Sequence, residues 1–445
     1  MSNNTKTQLQ SENTKSNFGK GWIIILYSMV MFFFLIGFSI DGQNIVIDVF
    51  AGTHWESLGF ESQTALHAKL LELAMWAGFI GVLAYFIIGR ITTKIGGRMV
   101  ATICMILAGA SYIYYGNADT ITSYFVGLTL VTIFINGAAY IGGGNLVTQW
   151  FPKKKGLANG YTTMGHNLGS ALYVPLIAAL IGALGMAKGM TVTGVAAIVI
   201  GIIAYFFIRN TPQELNIYPD NVSKEVFETE YASDDEVTSR WTVGKLLKTK
   251  EMWLVAVIIG INQLVTTGVM SQMVPRNMEF GFSQATAVSL MTVCAIVGLA
   301  GSFGFGFIDQ KLGVKTAVKG YLAWYAAALL INVILNNAIG GYIAVAMIGI
   351  AIGAAANFMT SLPASVFGRH NFDLVYSIYF PIMQIVLMLN YIVNAKALEI
   401  TGSLRGAYIV FIVLLVVNFV LISVLDTKKY NLDYMKEEQV LKQKA

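Results

Sequence analysis

The sequence predicts an all-α membrane protein whose twelve transmembrane helices form two pseudo-symmetric six-helix bundles. Three observations predict it: too little charge for a soluble fold, long uncharged stretches that resolve into twelve spans, and a glycine-and-lysine pattern that recurs once per half. Of the 445 residues, 56% are hydrophobic and 12% charged, whereas a soluble domain carries roughly 25% charged residues. This excludes a cytosolic enzyme, a secreted disulfide scaffold and a disordered chain. Cys104 and Cys294 both lie in apolar runs and are too few for a disulfide framework or a cysteine metal site.

Stretches free of Asp, Glu, Lys and Arg cover residues 21–40, 73–89, 99–118, 120–152, 156–187 and 189–208, then 252–275, 280–308, 320–368, 374–395 and 406–425. The stretch 320–368 is too long for one crossing of about 20 residues. Asn336-Asn337 and Gly340-Gly341 break it into two. Helices are required, because backbone in lipid must satisfy its own hydrogen bonds, and the short alternating segments of a barrel are missing. The expected organisation is a cytoplasmic tail (1–20), a six-helix bundle (21–208), a polar linker (209–250) with the acidic cluster Asp234-Asp235-Glu236, a second bundle (251–425) and a cytoplasmic tail (426–445). With the N-terminus inside, 24 of the 29 basic residues fall on the cytoplasmic side, leaving Lys69, Lys188, Arg276, Lys396 and Arg405 outside. That bias is the positive-inside rule, and it places both termini on the cytoplasmic side of the cell membrane.

After span two come Gly89, Lys94, Gly96 and Arg98; after span eight come Gly306, Lys311, Gly313 and Lys315, each shifted by 217 positions. Gly81 matches Gly298 at the same offset, and Asn145 with Thr148 in span four echoes Asn357 with Thr360 in span ten. Two six-span halves with matching turns indicate parallel repeats about an axis along the membrane normal. Carrying these motifs, the chain resembles the major facilitator superfamily over its whole length. It departs from that family's signature turn in one place, where Thr93 and Gln310 stand at the usual acidic position. Residues 150–160 and 367–372 resemble the oxalate/formate antiporter and monocarboxylate branch.

No phosphate-binding loop and no paired metal-ligand set occurs, so neither ATP-driven pumping nor metal catalysis is expected. The chain is not expected to be an enzyme and needs no cofactor. The expected partners are a small-molecule solute, protons and the lipid bilayer, with no nucleic acid, and one copy of the chain can hold a whole site.

A polar group at mid-bilayer is costly and normally faces the bundle interior or a wet cavity. His166 and Asn167 lie near the middle of span five, among Gly160, Gly165 and Gly169. His166 is a candidate carboxylate ligand or proton carrier, or equally a neutral histidine bonded to a neighbouring helix. Asn136 and Tyr140 in span four, Asn262 and Gln263 in span seven, and Asn357 in span ten are candidate substrate ligands; each alternatively serves as interhelical glue worth about 0.6 to 2 kcal/mol. In span eleven, Tyr376, Tyr379 and Gln384 surround Pro381, whose missing N–H favours a kink, and are candidates for a rocking cavity wall. Asp41, ending span one, and Glu72, one turn from Trp76 in span two, are candidate coupling residues, or charges resting in water at the outer rim. Lys94, Arg98 and Lys311 of the repeated turns are the gating candidates. Arg276 reads as a rim charge, and Phe32, Phe33 and Phe34 as lipid-facing bulk.

The branch resemblance implies a small organic anion and basic residues clamping it in spans eight and eleven. This chain has none at those depths, and a dianion at a dry midplane without a fixed cation is expensive. The expected cargo is a monocarboxylate, a weak acid moving with a proton, or a zwitterion, carried by proton symport or solute exchange. The alternative is a proton-coupled exporter of amphipathic or quaternary-ammonium cations using Asp41 and Glu72.

Overall fold

The computed structural model describes residues 18–152, 154–228, 241–335, 337–368, 372–427 and 430. The cluster Asp234-Asp235-Glu236, Lys153, Asn336, Arg369, His370 and most of both tails lie outside these. The described residues are almost wholly helical. Eleven helices are long and apolar enough to cross a membrane, and the 54-residue helix Gln63–Gly116 contains two crossings, which restores the expected twelve. They are α1 (Gly19–His54), α2 (63–95), α3 (97–116), α4 (Ile121–Trp150), α5 (Ala158–Leu184), α6 (Met186–Phe207), α7 (Lys250–Met270), α8 (Gln284–Leu312), α9 (Val314–Ile334), α10 (Ala338–Phe367), α11 (Leu374–Thr401) and α12 (Arg405–Val424). A short helix, Val243–Leu247, on the bundle's linker face packs against α7 and α11.

Local chemistry sets the ends of the spans. On the face opposite the linker, here the distal face, Ser62, Thr120, Ser283 and Asn337 cap α2, α4, α8 and α10, each side-chain oxygen accepting a backbone N–H of the first turn and so satisfying a donor that a helix start leaves orphaned. On the linker face, Gly96 (φ 83°, ψ 160°) and Gly313 (φ 82°, ψ 155°) take the same left-handed turn, open to glycine at no steric cost. The basic residues two positions on are matched as well. Arg98 donates Nε and Nη2 to the Tyr205 carbonyl near the end of α6 (3.0 and 2.6 Å), and Lys315 donates Nζ to the Leu425 carbonyl just after α12 (2.8 Å). Each thus caps the last helix of its own bundle with a positive charge.

The packing repeats too. α2 and α3 together lie on α4 and α6, with Gly81 of α2 against Thr132 of α4 and Gly109 of α3 against Gly194 of α6, and α1 lies on α5, as α8 lies on α10, α9 on α12 and α7 on α11. In lipid such contacts rest on close van der Waals approach, and small residues permit it. A methyl group on Gly353 of α10 would run into the Gly298 carbonyl of α8, and one on Gly109 of α3 into the Gly194 carbonyl of α6. The bundles meet along two seams, α2 against α11 and α5 against α8.

Three π-helical stretches interrupt the spans of the first bundle at middle depth: Ile36–Ile40 in α1, Gly137–Gly143 in α4 and Gly169–Tyr173 in α5. The Asp41 N–H bonds the Ile36 carbonyl at 2.8 Å, one residue further back than in an α-helix. Gly42 follows, where any side chain would strike the Gly37 carbonyl.

Three expectations are corrected here. Phe32 and Phe34 are buried and pack edge-to-face with His166, Tyr140 and Tyr173 instead of facing lipid, because α1 runs between other helices. Arg276 is 1% exposed, not a rim charge, because Asn332, Glu279 and Phe280 enclose its guanidinium. Asp41 is 2% exposed, not in water at the rim.

Candidate functional site

Between the bundles at middle depth lies a cavity of about 40 Å³, room for roughly three waters. From the first bundle, α4 presents Leu128, Thr132, Asn136 and Tyr140, each one turn from the next, and α1 presents Ser39 and Gln43. From the second, α7 contributes Thr267, and α11 contributes Gln384, Met388 and Tyr391. None of the lining side chains is charged.

Several of its polar groups are already committed. Gln43 donates to the Phe38 carbonyl (3.0 Å) and accepts from the Tyr115 hydroxyl (3.1 Å), Ser39 donates to the Leu35 carbonyl (2.9 Å), and Tyr391 donates to the Ser39 carbonyl (3.4 Å). Asn136 uses one amide hydrogen on the Thr132 carbonyl (2.8 Å). Among the described residues, the hydroxyls of Tyr140 and Thr267 and the amide of Gln384 have no hydrogen-bond partner, and all three line the cavity. With the second amide hydrogen of Asn136, these form a set of donors open to a ligand.

Contacts between the bundles flank the cavity at both ends. Toward the linker face, Tyr140 of α4 meets Phe380 of α11 (ring centroids 5.3 Å), backed by Tyr376 stacked on Phe380 (5.1 Å) and by Phe32 edge-on to Tyr140 (5.2 Å). Toward the distal face the bundles are joined by hydrogen bonds. Asn44 of α1 bonds the Met270 carbonyl and the Val274 N–H, and His67 of α2 bonds Gln272 at 2.8 Å.

Asp41 sits beside the cavity, just beyond Ile40, in the turn that ends the π stretch of α1. Ser170, in the π stretch of α5, donates its hydroxyl to the carboxylate. No lysine or arginine pairs with Asp41 among the described residues. Ser170 belongs to α5, the helix that forms a seam with α8 of the other bundle.

Of the other sequence candidates, Asn136, Tyr140 and Gln384 line the cavity and the rest do not. His166 stands behind the aromatic layer, its ring 4.6 Å from Phe32 and 6.4 Å from Tyr140, with Nε2 buried and unpartnered; Asn167 is the next residue of α5. Tyr376 belongs to the layer itself, and Tyr379 donates to the Met359 carbonyl of α10. Asn357 exchanges bonds with Ser302 of α8, and Asn262 accepts from Asn418 of α12 at 2.7 Å. Both amides thus tie helices within the second bundle, and Gln263 is half-buried outside the cavity lining.

Glu72 pairs with Lys69 at 2.9 Å in a distal vestibule of about 700 Å³ that also holds Lys396 and Glu399, so it is separated from Asp41. Lys94 is exposed, Lys311 lies over the Phe307 ring at 4.4 Å, and Arg98 is spent on capping α6. Sequence reasoning overlooked Ser39, Thr132 and Tyr391 as lining residues. The legible signal was the one-turn spacing of Thr132, Asn136 and Tyr140.

Comparison with known proteins agrees with this architecture. The family model of the Major Facilitator Superfamily matches residues 26–390. Among curated proteins, the oxalate:formate antiporter of Oxalobacter formigenes is 24% identical over 340 residues, covering 74% of each chain. The uncharacterized MFS-type transporter YhjX of Escherichia coli (strain K12) is 20% identical over 327 residues, 72% of this chain and 75% of that protein. Among solved structures, a bacterial homolog of the human lysosomal transporter Spinster, inward-facing and unoccupied, superposes with a TM-score of 0.63 at 15% identity, covering 92% of this chain and 97% of the other. Twelve spans in two repeated bundles around a polar midplane cavity, matched by that family model over most of their length, make this chain a member of the Major Facilitator Superfamily of transporters.

Proposed function

We propose that the chain is a secondary transporter for a small monocarboxylate, working by alternating access and carrying a proton with its cargo across the cell membrane. The observation that carries this reading is the cavity lining: open hydrogen-bond donors from both bundles and no charged group. A carboxylate offers about four acceptor sites, which the hydroxyls of Tyr140 and Thr267 and the amides of Asn136 and Gln384 can meet. A dianion has no fixed cation to offset its desolvation. The oxalate:formate antiporter among the relatives supports an anionic cargo, and the lack of a basic side chain supports the singly charged kind.

Asp41 supports the proton. An ionised Asp41 and a substrate carboxylate would repel each other strongly in this poorly screened interior, so the two coexist when a proton is bound. Uptake then rises as the pH on the loading side falls. The basic residues gathered on the linker side support a cytoplasmic linker and termini.

The test is uptake of labelled formate, acetate and oxalate into proteoliposomes with an imposed proton gradient. The expected result is gradient-driven uptake of the monocarboxylates, with oxalate excluded, and loss of the gradient's effect in Asp41→Asn. Transport indifferent to pH in the wild type would refute the proton's role. A second reading, export of amphipathic or quaternary-ammonium cations, is favoured by the same unpaired acid. Efflux of a lipophilic cation that fails in Asp41→Asn, with no carboxylate uptake in the wild type, would establish it instead.

A further inference from the structure

We infer that Asn44 is the latch of the distal gate, and that it works by standing in for one missing hydrogen bond of the helix it holds. Span seven is broken. α7 ends at Met270, and after Ser271 and Gln272 a short helix, Met273–Glu279, continues it. The bond an intact helix would make from the Val274 N–H to the Met270 carbonyl is missing. The Asn44 side chain, 1% exposed and belonging to the other bundle, occupies that gap. Its Nδ2 donates to the Met270 carbonyl at 2.7 Å, and its Oδ1 accepts from the Val274 N–H at 2.9 Å.

The break is written into the sequence by Pro275, which has no N–H to offer the Ser271 carbonyl; the neighbouring Gln272 amide serves that carbonyl instead, at 2.6 Å. The short helix belongs mechanically to the second bundle. Arg276 ties it to Asn332 of α9, and Glu279 accepts from the Leu404 N–H and the Ser403 hydroxyl at the start of α12, each at 2.8 Å. When the bundles part at the distal face, the short helix therefore stays behind and Asn44 withdraws. The Met270 carbonyl and Val274 N–H are then left facing each other with their ordinary helical partner restored, while Asn44 meets water in the opened vestibule. Neither state leaves a backbone group unpaired, which is what a bistable element needs.

The inference rests on alternating access but not on the cargo, and its test needs no substrate. Spin labels on Glu61→Cys and Glu399→Cys, which flank the distal vestibule from opposite bundles, report the gate in lipid nanodiscs. Asn44→Ala is expected to move the distance distribution several-fold toward the longer population. Asn44→Asp, which keeps the acceptor for Val274 and loses the donor to Met270, is expected to move it part of the way; it carries the test if Asn44→Ala does not fold. An unchanged distribution in a folded variant overturns the latch. Hydrogen exchange separates a latch from simple glue between bundles. The Val274 amide should stay protected in Asn44→Ala because it re-pairs with Met270, and a large rise in its exchange overturns the substitution mechanism. Failure of carboxylate transport with both results intact would count against the proposed cargo alone.

Discussion

Replacing Arg276 with methionine tests whether a positive charge at the distal end of span seven is structural. Its guanidinium donates Nε to the Asn332 side chain at 2.9 Å, Nη2 to the Asn332 carbonyl at 2.9 Å, and Nη1 to Glu279 at 2.6 Å. It also lies 4.3 Å from the Phe280 ring centre. The arginine side chain is 2% exposed and Glu279 is 26% exposed. Removing one partner of a buried ion pair costs about 3–5 kcal/mol. Glu279 keeps its bonds from the Leu404 N–H and the Ser403 hydroxyl and can recover part of its hydration, which argues for the lower end, about 3 kcal/mol. At roughly 2–4 °C per kcal/mol for a unit of this size, the melting temperature in detergent should fall by about 6–12 °C. Arg276→Lys should fall between, since one ammonium can meet Glu279 but cannot span both Asn332 oxygens. The assay is a fluorescence-detected melt of the purified variants. A change in Arg276→Met no larger than the roughly 0.5 kcal/mol of an ordinary surface substitution would refute burial and return Arg276 to the rim.

Three further outcomes follow from the same geometry. Tyr140→Phe and Gln384→Leu each remove one open cavity donor and should raise the half-saturating monocarboxylate concentration by roughly 5- to 30-fold, about 1–2 kcal/mol, in proteoliposome uptake. His166→Phe should keep uptake because it preserves the aromatic brace behind Tyr140, whereas His166→Ala should lose it; equal loss in both would point to a role for the imidazole itself. Gly353→Leu forces α10 off the Gly298 carbonyl and should cost about 1–3 kcal/mol in a melt. By contrast, Gly304→Ala on α8, which meets nothing within 4 Å, should be neutral.

The elements were legible because their causes are local. A span must satisfy its own backbone bonds, so uncharged length locates it, and Ser62, Thr120, Ser283 and Asn337 mark where four of the spans begin. The repeated turn was legible as well, since Gly96 and Gly313 answer one backbone demand. Which polar residues converge was much less legible. Asn357, Asn262 and Gln384 lie at comparable depths, yet two of them tie helices together and one lines the void. Depth can be read along a span, but the direction a side chain faces depends on the neighbours around it.

Composition and spacing by themselves determined that this chain lives in a bilayer, crosses it twelve times, repeats itself once and keeps fixed positive charge out of its centre. Tertiary structure alone decided where the polar groups point. Each π-helical stretch inserts one residue into the helical repeat and turns everything beyond it by about 100°. Just past the stretch in α1, Asp41 meets Ser170 and Gln43 enters the cavity. No hydrophobic period carries that information, because the bulge is chosen by the packing of α1, α4 and α5 against one another.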